Sequence, residues 1–433
     1  MASFWFVPAL GAATLTAVPL YARFVRGRSY ARFGFVILAF SIPGLVVADH
    51  RLRELIPPAS RAWIDALFAY VIAAAGAHLA GLVRARLRPA AFRALVSIPG
   101  MAAVAAGALS AVWMLALLPV RAALVLSGHE GVSAALAWLD LVPFAIVGLS
   151  LVTSLRTVEE IVRLPLDGPE PETLARLPVE RSKRARPAGR PAGTTLRIVQ
   201  IADPHLGPWQ PIDRLHRRID SLLDHDPDLV LLTGDFLTME GAGTPGALAI
   251  ALSPLRRARG RSFAIFGNHD HESPAEVRAA LAANDVALLV DDEAIVETPA
   301  GPVQILGADY VGRGRRRQLE RLFARFPRRP GHARILLLHD PSAFRHVPKD
   351  EVDLTLSGHT HGGQVGLVSL GVDWTVLKRS GFPDHGLFGH GRSRLYVHRG
   401  TGFYGFPLRI GVPGEASILE VVLRDDARDD RAQ

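Results

Sequence analysis

The feature that most constrains this chain is a series of five polar motifs in its second half, each of which ends a run of apolar residues. The motifs are IVQIADPHLG, LVLLTGDF, FAIFGNHD, ILLLHD and LTLSGHTHGGQ, at residues 198–207, 229–236, 263–270, 335–340 and 354–364. A short apolar run that stops at turn residues is typical of a buried β-strand. Each strand is therefore expected to end at Asp, Asn or His side chains, where α/β sheets carry their sites.

The second half also alternates these strands with helical stretches, for example at residues 213–225, 247–259 and 274–284. Wholly apolar strands such as LVLL and ILLL indicate a sheet that is covered on both faces. We therefore predict an α/β sandwich over residues 195–424.

The first half has a different composition, dominated by Ala, Leu, Val and Phe up to about Leu155. A helix needs about 20 residues to cross the hydrocarbon of a bilayer. The apolar stretches lie at residues 2–22, 33–48, 62–83, 94–120 and 136–155. Four are long enough, whereas 33–48 is either a short span or a re-entrant segment. We predict a multi-pass α-helical membrane domain of about five spans over residues 1–157.

The arginines predict the orientation, because cytoplasmic loops carry an excess of Lys and Arg. With five spans, one side holds ten arginines: Arg23, Arg26, Arg28, Arg32, Arg84, Arg86, Arg88, Arg93, Arg156 and Arg163. The other side holds four: Arg51, Arg53, Arg61 and Arg121. This places the second half in the cytoplasm. If residues 33–48 do not span, the second half would lie on the other side of the membrane.

The net charge of +8 is thus attributed to membrane topology. Nucleic-acid binding is not expected, since no basic run is interleaved with aromatic residues.

Three ionisable residues, Asp65, His78 and Asp140, fall within the predicted spans. The two aspartates lie near span ends, where the interface can solvate them, and His78 is given a packing role. Residues 158–194 are rich in Pro, Gly and Arg and are predicted to be a linker. Residues 425–433 are predicted to be a solvated tail. The absence of cysteine excludes disulfides and thiolate metal sites.

The motif residues are typical metal ligands. Residues i and i+2 of a strand point to the same face, so Asp203 with His205, and His359 with His361, can each direct two ligands to one point. Mixed carboxylate and imidazole ligands suit Mn, Fe or Zn and disfavour Ca or a pure Mg site. Glycines 234, 267 and 358 directly precede predicted ligands and allow close backbone approach there.

These five motifs, in this order, resemble the signature of the calcineurin-like metallophosphoesterase superfamily over about residues 196–423. SGHTHGGQ and the later RGTGFYGFPLRIGVPGE, at residues 399–415, are similar to its bacterial membrane-associated branch. The layout of the chain is similar to that of transmembrane proteins with a C-terminal metallophosphoesterase domain. The resemblance implies a four-layer α/β/β/α sandwich and two divalent metal ions per chain.

The resemblance also implies a role for each motif residue. One metal would be bound by Asp203, His205, Asp235 and His361, and the second by Asp235, Asn268, His339 and His359. Asp235 would bridge the two ions, which lower the pKa of a water molecule and so generate hydroxide near neutral pH. His269 would contact the substrate and protonate the leaving group, with Asp270 orienting its ring. A structural role for His269 is the alternative.

The predicted function is that of a membrane-anchored dinuclear-metal hydrolase of a phosphoester or pyrophosphate, with a lipid-linked or nucleotide substrate as candidates. A catalytically silent sensor or scaffold is the alternative, but the complete ligand set argues against it. A transporter with a regulatory soluble domain is a third class, disfavoured by the scarcity of paired intramembrane charges. The arginines at 313, 315, 316 and 317 are interpreted as a solvated helix start, with phosphate or headgroup recognition as the other reading.

Overall fold

The computed structural model describes residues 5–182, 195–406 and 408–424. The chain divides into two compact units. One unit comprises Met1–Ser154 together with Gly405–Ile410, and the other comprises Leu155–Tyr404 together with Gly411–Gln433. The predicted boundary at residue 157 lies three residues after the observed end of the first unit at Ser154. The segment Gly405–Ile410, from near the end of the chain, also belongs to the N-terminal unit.

The N-terminal unit is helical. Its helices are α1 (Phe6–Val25), α2 (Arg28–Leu55), α3 (Arg61–Val83), α4 (Ala90–Phe92), α5 (Ile98–Leu126), α6 (Glu130–Ala135) and α7 (Val142–Leu155). A π-helical turn, Arg93–Ser97, joins α4 to α5. Small residues let these helices approach closely, as in many membrane bundles. A Cβ added at Gly44 of α2 would lie 2.1 Å from the carbonyl oxygen of Gly107 in α5.

Four helical segments of the described residues are long and apolar enough to cross a membrane: Arg28–Leu55, Pro58–Val83, Ala90–Leu126 and Leu136–Leu155. The short apolar stretch 33–48 lies inside the 28-residue α2, so its length no longer argues against a span. The 20-residue α1, which contains Pro19, is not among the four. The count of five spans therefore stays a prediction.

The two aspartates that were expected to be solvated at span ends are buried and paired instead. Asp65 accepts a hydrogen bond of 2.7 Å from Arg53. Asp140 accepts two from Arg121, at 3.0 and 2.8 Å. The partner arginines supply the hydrogen bonds that a buried carboxylate requires. Because these ion pairs exist, the scarcity of paired charges no longer argues against a transporter.

The described residues of the second unit form two seven-stranded sheets. Strands β1–β7 are Thr157–Pro165, Ala175–Leu177, Glu180–Ser182, Thr195–Ile201, Leu229–Leu232, Ser262–Ala264 and Ala287–Leu288. Strands β8–β14 are Asp292–Thr298, Gly301–Ala308, Ala333–Leu338, Leu354–Ser357, Gly386–His390, Ser393–Val397 and Gly414–Val422. The first sheet has the order β3-β1-β14-β4-β5-β6-β7 and the second β2-β12-β13-β11-β10-β9-β8.

The sheets pack face to face, and helices cover their outer faces. The helices are α8 (Ile212–Leu223), α9 (Met239–Ala242), α10 (Ala247–Ala251), α11 (Pro274–Ala282) and α12 (Arg315–Arg325). Alternate residues of the apolar strands point to opposite sides. Leu337 of β10 lies in the core between the sheets, while Leu336 packs in the outer cluster with Leu319 of α12. The predicted four-layer α/β/β/α sandwich is confirmed.

The linker prediction is wrong for residues 158–182. β1 lies inside the first sheet, where it pairs in parallel with β14 and antiparallel with β3, and β2 pairs with β12 of the second sheet. The sequence TVEEIVRLP alternates, and its apolar side chains Val162 and Leu164 are fully buried between the sheets. The surrounding Pro, Gly and Arg content concealed this period-2 pattern. Residues 183–194 and the predicted tail 425–433 lie outside the described residues.

We predict that Leu164→Ala destabilises the α/β unit by about 2–5 kcal/mol, because it leaves a cavity in the core between the sheets. Arg163→Ala on the same strand is the control, since that side chain is 62% exposed on the opposite face. Denaturant unfolding of the purified full-length protein would compare the two variants. Equal stability of both variants would contradict the placement of this segment in the core.

Candidate metal centre

Three neighbouring parallel strands of the first sheet direct predicted ligands to one edge. β4 pairs with β5 and β5 with β6, all in parallel. The carboxyl ends of parallel strands lie at the same edge of a sheet. Asp203, Asp235 and Asn268 follow β4, β5 and β6 respectively, after two to four residues.

Two neighbouring parallel strands of the second sheet supply the remaining predicted ligands. β10 pairs in parallel with β11. His339 directly follows β10, and His359 and His361 follow β11. The site is therefore assembled from the carboxyl ends of strands in both sheets.

The described residues contain two clusters of His and Asp whose ligand atoms converge within 4.8 Å of one another. The first cluster is Asp203, His205 and His361, and the second is Asp235, His339 and His359. In the first, the Nε2 atoms of His205 and His361 are 3.2 Å apart. In the second, Nδ1 of His359 lies 3.2 Å from Nε2 of His339. Such convergent imidazole nitrogens in a buried site suit a cation between them.

Asp235 belongs to the second cluster and also approaches the first. Its Oδ2 atom is 3.3 Å from Nε2 of His339 and 3.8 Å from Nε2 of His205. The Oδ1 atom of Asn268 lies 3.1 Å from the same His339 nitrogen. All seven predicted ligands are thus brought together, and one carboxylate touches both clusters.

The backbone at the site departs from the strand geometry that the sequence suggested. Five predicted ligands have positive φ angles: Asp203 (49°), His205 (44°), Asp235 (59°), His359 (69°) and His361 (50°). Left-handed conformations are uncommon for residues other than glycine and are often found at functional sites. The predicted pairing of ligands is wrong for His359 and His361, which join different clusters, whereas Asp203 and His205 do converge in one cluster. All four residues follow the strands and do not lie within them.

The glycines before the ligands allow close approach, as predicted. A Cβ added at Gly267 would lie 2.2 Å from Oδ1 of Asp235, and one at Gly358 would lie 2.3 Å from Oδ2 of Asp203. Neither distance is compatible with a side chain. The absence of a Cβ at these positions therefore lets backbone segments press against the carboxylates.

The electrostatics of the site favour a bound cation. Burial lowers the pKa of His205 to about 4, so its imidazole is neutral and can act as a ligand. Burial also opposes protonation of His339, but the Asp235 carboxylate outweighs it and raises the pKa of His339 to about 10. Nδ1 of His339 lies 2.7 Å from the carbonyl oxygen of Thr233 and donates to it, which directs Nε2 toward Asp235. A metal ion in place of the proton would satisfy the same carboxylate.

The predicted partnership of His269 with Asp270 is wrong. The Asp270 carboxylate accepts backbone N–H groups of Asp235, Phe236 and Gly267, at 2.7, 2.8 and 2.8 Å. Nδ1 of His269 instead lies 3.0 Å from Glu272. Asp270 thus fixes the backbone around the shared carboxylate, since it is fully buried and close to that backbone.

Two tyrosines at the site were not assigned a role from the sequence. The ring centroid of Tyr404 lies 4.6 Å from that of His269 and 5.4 Å from that of His205. Tyr310 lies 6.1 Å from His339 and 6.3 Å from His359. No ligand motif contains them. The available signal was their position in the short segments GADYVG, which follows apolar residues, and GFYG.

A buried ion network connects the segment predicted to be a linker with the metal-binding turn. Glu160 of β1 contacts Arg399, and Arg399 donates a hydrogen bond of 3.0 Å to Glu415 of β14. Arg181 of β3 also contacts Glu160. A Cβ added at Gly362 would lie 3.1 Å from Cγ of Arg399, so this arginine packs directly behind the turn that carries His361.

Comparisons with known proteins agree with this geometry. Residues 196–363 match the family model of calcineurin-like phosphoesterases. Phosphodiesterase YaeI of Escherichia coli (strain K12) is 29% identical over 232 residues, covering 52% of this chain and 82% of the relative. The uncharacterized metallophosphoesterase YkoQ of Bacillus subtilis (strain 168) is 29% identical over 247 residues, covering 54% and 86%.

A further relative includes the helical part. The transmembrane protein with metallophosphoesterase domain of Bos taurus is 27% identical over 339 residues, covering 69% of each chain. With the four apolar helices, this similarity identifies a membrane protein.

We predict that Asp235→Ala reduces the metal content of the purified protein from two ions per chain to one or none, because both clusters lose a shared ligand. Asp213→Ala, at a carboxylate that is 61% exposed, is the control and should retain both ions. Elemental analysis after reconstitution with Mn²⁺ or Zn²⁺ would measure both. Two ions retained in the Asp235 variant would exclude a bridging role.

Proposed function

Because the C-terminal domain of this chain belongs to the calcineurin-like phosphoesterase family, we propose that the protein is a membrane-anchored phosphoesterase with a dinuclear metal centre. The observation that carries the proposal is the position of Asp235, whose carboxylate lies within 4 Å of a histidine from each cluster. One carboxylate between two clusters is the arrangement that a two-metal hydrolase needs.

Each part of the site has a proposed task. Asp203, His205, Asp235 and His361 would hold one ion, and Asp235, Asn268, His339 and His359 would hold the other. When bound, two such ions supply a water of lowered pKa and stabilise the charge that develops on the phosphoryl oxygens. Mn, Fe and Zn fit this mixture of carboxylate, amide and imidazole ligands.

His269 is proposed to protonate the leaving oxygen. It is not in either cluster, and its side chain is 28% exposed, so it can reach a substrate. Its backbone N–H donates a hydrogen bond of 2.9 Å to Asp235, which fixes the start of its side chain beside the metal site. Contacts with Tyr404 and with Glu272 restrict the imidazole ring.

The proposed substrate is a phosphodiester or a pyrophosphate, with a lipid-linked or nucleotide compound as the leading class. The name of the Escherichia coli relative supports diester cleavage. The apolar helices support a substrate that is encountered at a bilayer. Full-length protein in detergent, with both metal sites occupied, should therefore be tested against phosphomonoesters, phosphodiesters and pyrophosphates.

The same test distinguishes an enzyme from the alternative, a catalytically silent scaffold. Two bound metals without hydrolysis of any substrate class would support a scaffold that retains the phosphoesterase fold. Hydrolysis that is lost in Asp235→Asn would support the enzyme, because the activity then depends on the shared carboxylate and not on a contaminating protein.

We predict that His269→Ala lowers kcat by about 10² to 10⁴ for substrates with a poor leaving group, as is typical of a lost general acid. The metal content should stay at two ions per chain. A p-nitrophenyl ester, whose leaving group needs little protonation, should lose much less rate. If both substrate types lose the same rate, His269 does not act as the acid.

The catalytic unit is proposed to lie in the cytoplasm, on the basis of the ten arginines against four. The chain has no cysteine, so single cysteines can report the side of the membrane. Arg259→Cys places one at a side chain that is 78% exposed in the catalytic unit. Ser60→Cys places one between α2 and α3, where it is also exposed.

We expect a membrane-impermeant thiol reagent to label the Ser60 variant in intact cells and the Arg259 variant only after lysis. The cysteine-free parent measures background labelling. The reverse pattern would place the catalytic unit, and with it the substrate, on the outer face of the membrane.

A further inference from the structure

A basic cavity adjoins the second ligand cluster. It has a volume of about 420 Å³, and its lining includes Arg313, Arg315, Asp340, Arg345 and Phe382. Asp340 directly follows the predicted ligand His339, and its Oδ2 atom lies 3.8 Å from Nε2 of His359. The cavity and the metal centre therefore share a wall.

The charges that line this cavity do not cancel. Arg315 is neutralised by Asp340, with Nη1 of the arginine 2.7 Å from Oδ2, and it also donates to Ser342 at 2.8 Å. Among the described residues, no carboxylate lies within salt-bridge distance of Arg313 or Arg345. Two guanidinium groups thus face the cavity without a balancing anion.

His346 also lines the cavity and is influenced by the same excess of positive charge. Burial, and then the guanidinium groups of Arg345, Arg316 and Arg315, lower the pKa of His346. Arg345 donates a hydrogen bond of 3.3 Å from Nε to Nε2 of this imidazole. The neutral histidine therefore orients Arg345 and adds no further charge.

A contact between Arg315 and Tyr310 links the cavity to the metal centre. The guanidinium carbon of Arg315 lies 5.5 Å from the ring centroid of Tyr310, a cation–π distance. The same ring lies close to both His339 and His359. Arg315, Tyr310 and Asp340 thus form a partition in which Tyr310 and Asp340 lie close to predicted metal ligands, and Arg315 and Asp340 line the cavity together with Arg313 and Arg345.

We propose that Arg313 and Arg345 form a subsite for a second anionic group, a phosphate monoester, carried by the compound whose phosphoester is cleaved at the metal centre. This inference rests on the proposed function. The planar guanidinium group donates paired hydrogen bonds that match the oxygens of phosphate. A phosphate in the subsite would hold the scissile group beside the clusters, so the subsite selects substrates with two phosphates. The same chemistry would accept the headgroup of an anionic lipid.

The test compares two substrates with the same leaving group: thymidine 5′-(p-nitrophenyl phosphate) with and without a phosphate at its 3′ oxygen. We expect the full-length protein in detergent to prefer the 3′-phosphorylated compound in kcat/KM. The double variant Arg313→Ala/Arg345→Ala should reduce this preference by about tenfold, the size expected for charge-assisted hydrogen bonds. Metal content verifies that the variant is folded.

Arg321→Ala is the matched control. Arg321 lies on α12 and lines a neighbouring cavity of about 500 Å³ without touching the one beside Asp340. It should keep the preference of the parent, which separates a specific subsite from the general positive charge of this surface.

The outcomes are distinguishable. If the parent cleaves neither compound, the proposed function fails. If it cleaves both, and the preference is absent or is equal in the double variant, only the subsite is overturned. Added phosphatidic acid that abolishes the preference in the parent, while phosphatidylcholine does not, would support the subsite and identify a lipid headgroup as an occupant. No effect of phosphatidic acid on an intact preference would support the second phosphate of the substrate.

Discussion

The shared position of the Asp235 carboxylate is the constraint on which the rest of the catalytic unit depends. It accepts contacts from His205, which follows a strand of the first sheet, and from His339, which follows a strand of the second. Both sheets must therefore keep a fixed separation at this edge. The apolar core between them provides that rigidity, because close-packed side chains resist sliding and transmit small displacements to the ligands.

This arrangement has a conformational cost. Left-handed backbone at five predicted ligands is unfavourable, and it persists where the surrounding structure determines it. The surroundings do so here in two ways. Asp270 accepts three backbone N–H groups next to Asp235, and Arg399 supports the turn of His361 from behind. Side chains that are not predicted to bind metal are therefore needed to hold the predicted ligands in place.

Substrate selection is separate from this metal chemistry. A dinuclear centre cleaves monoesters, diesters and pyrophosphates by the same physical principle. Discrimination must then come from neighbouring groups that contact the rest of the substrate. In this chain the partition of Arg315, Tyr310 and Asp340 sets a positively charged cavity beside the second cluster, which is where a second phosphate would be recognised.

The sequence by itself determined the chain order of the strands that end at the site, the residues that meet there and the division into an apolar and a catalytic half. These features are local: an apolar run followed by Asp or His is visible without knowledge of its partners. The tertiary structure alone decided that β1 belongs to the first sheet, because pairing with β14 lies more than 250 residues away in sequence. It also decided that the Asp270 carboxylate binds backbone N–H groups instead of His269. Those outcomes depend on turn conformation and on distances between the two sheets, which residue spacing along the chain does not encode.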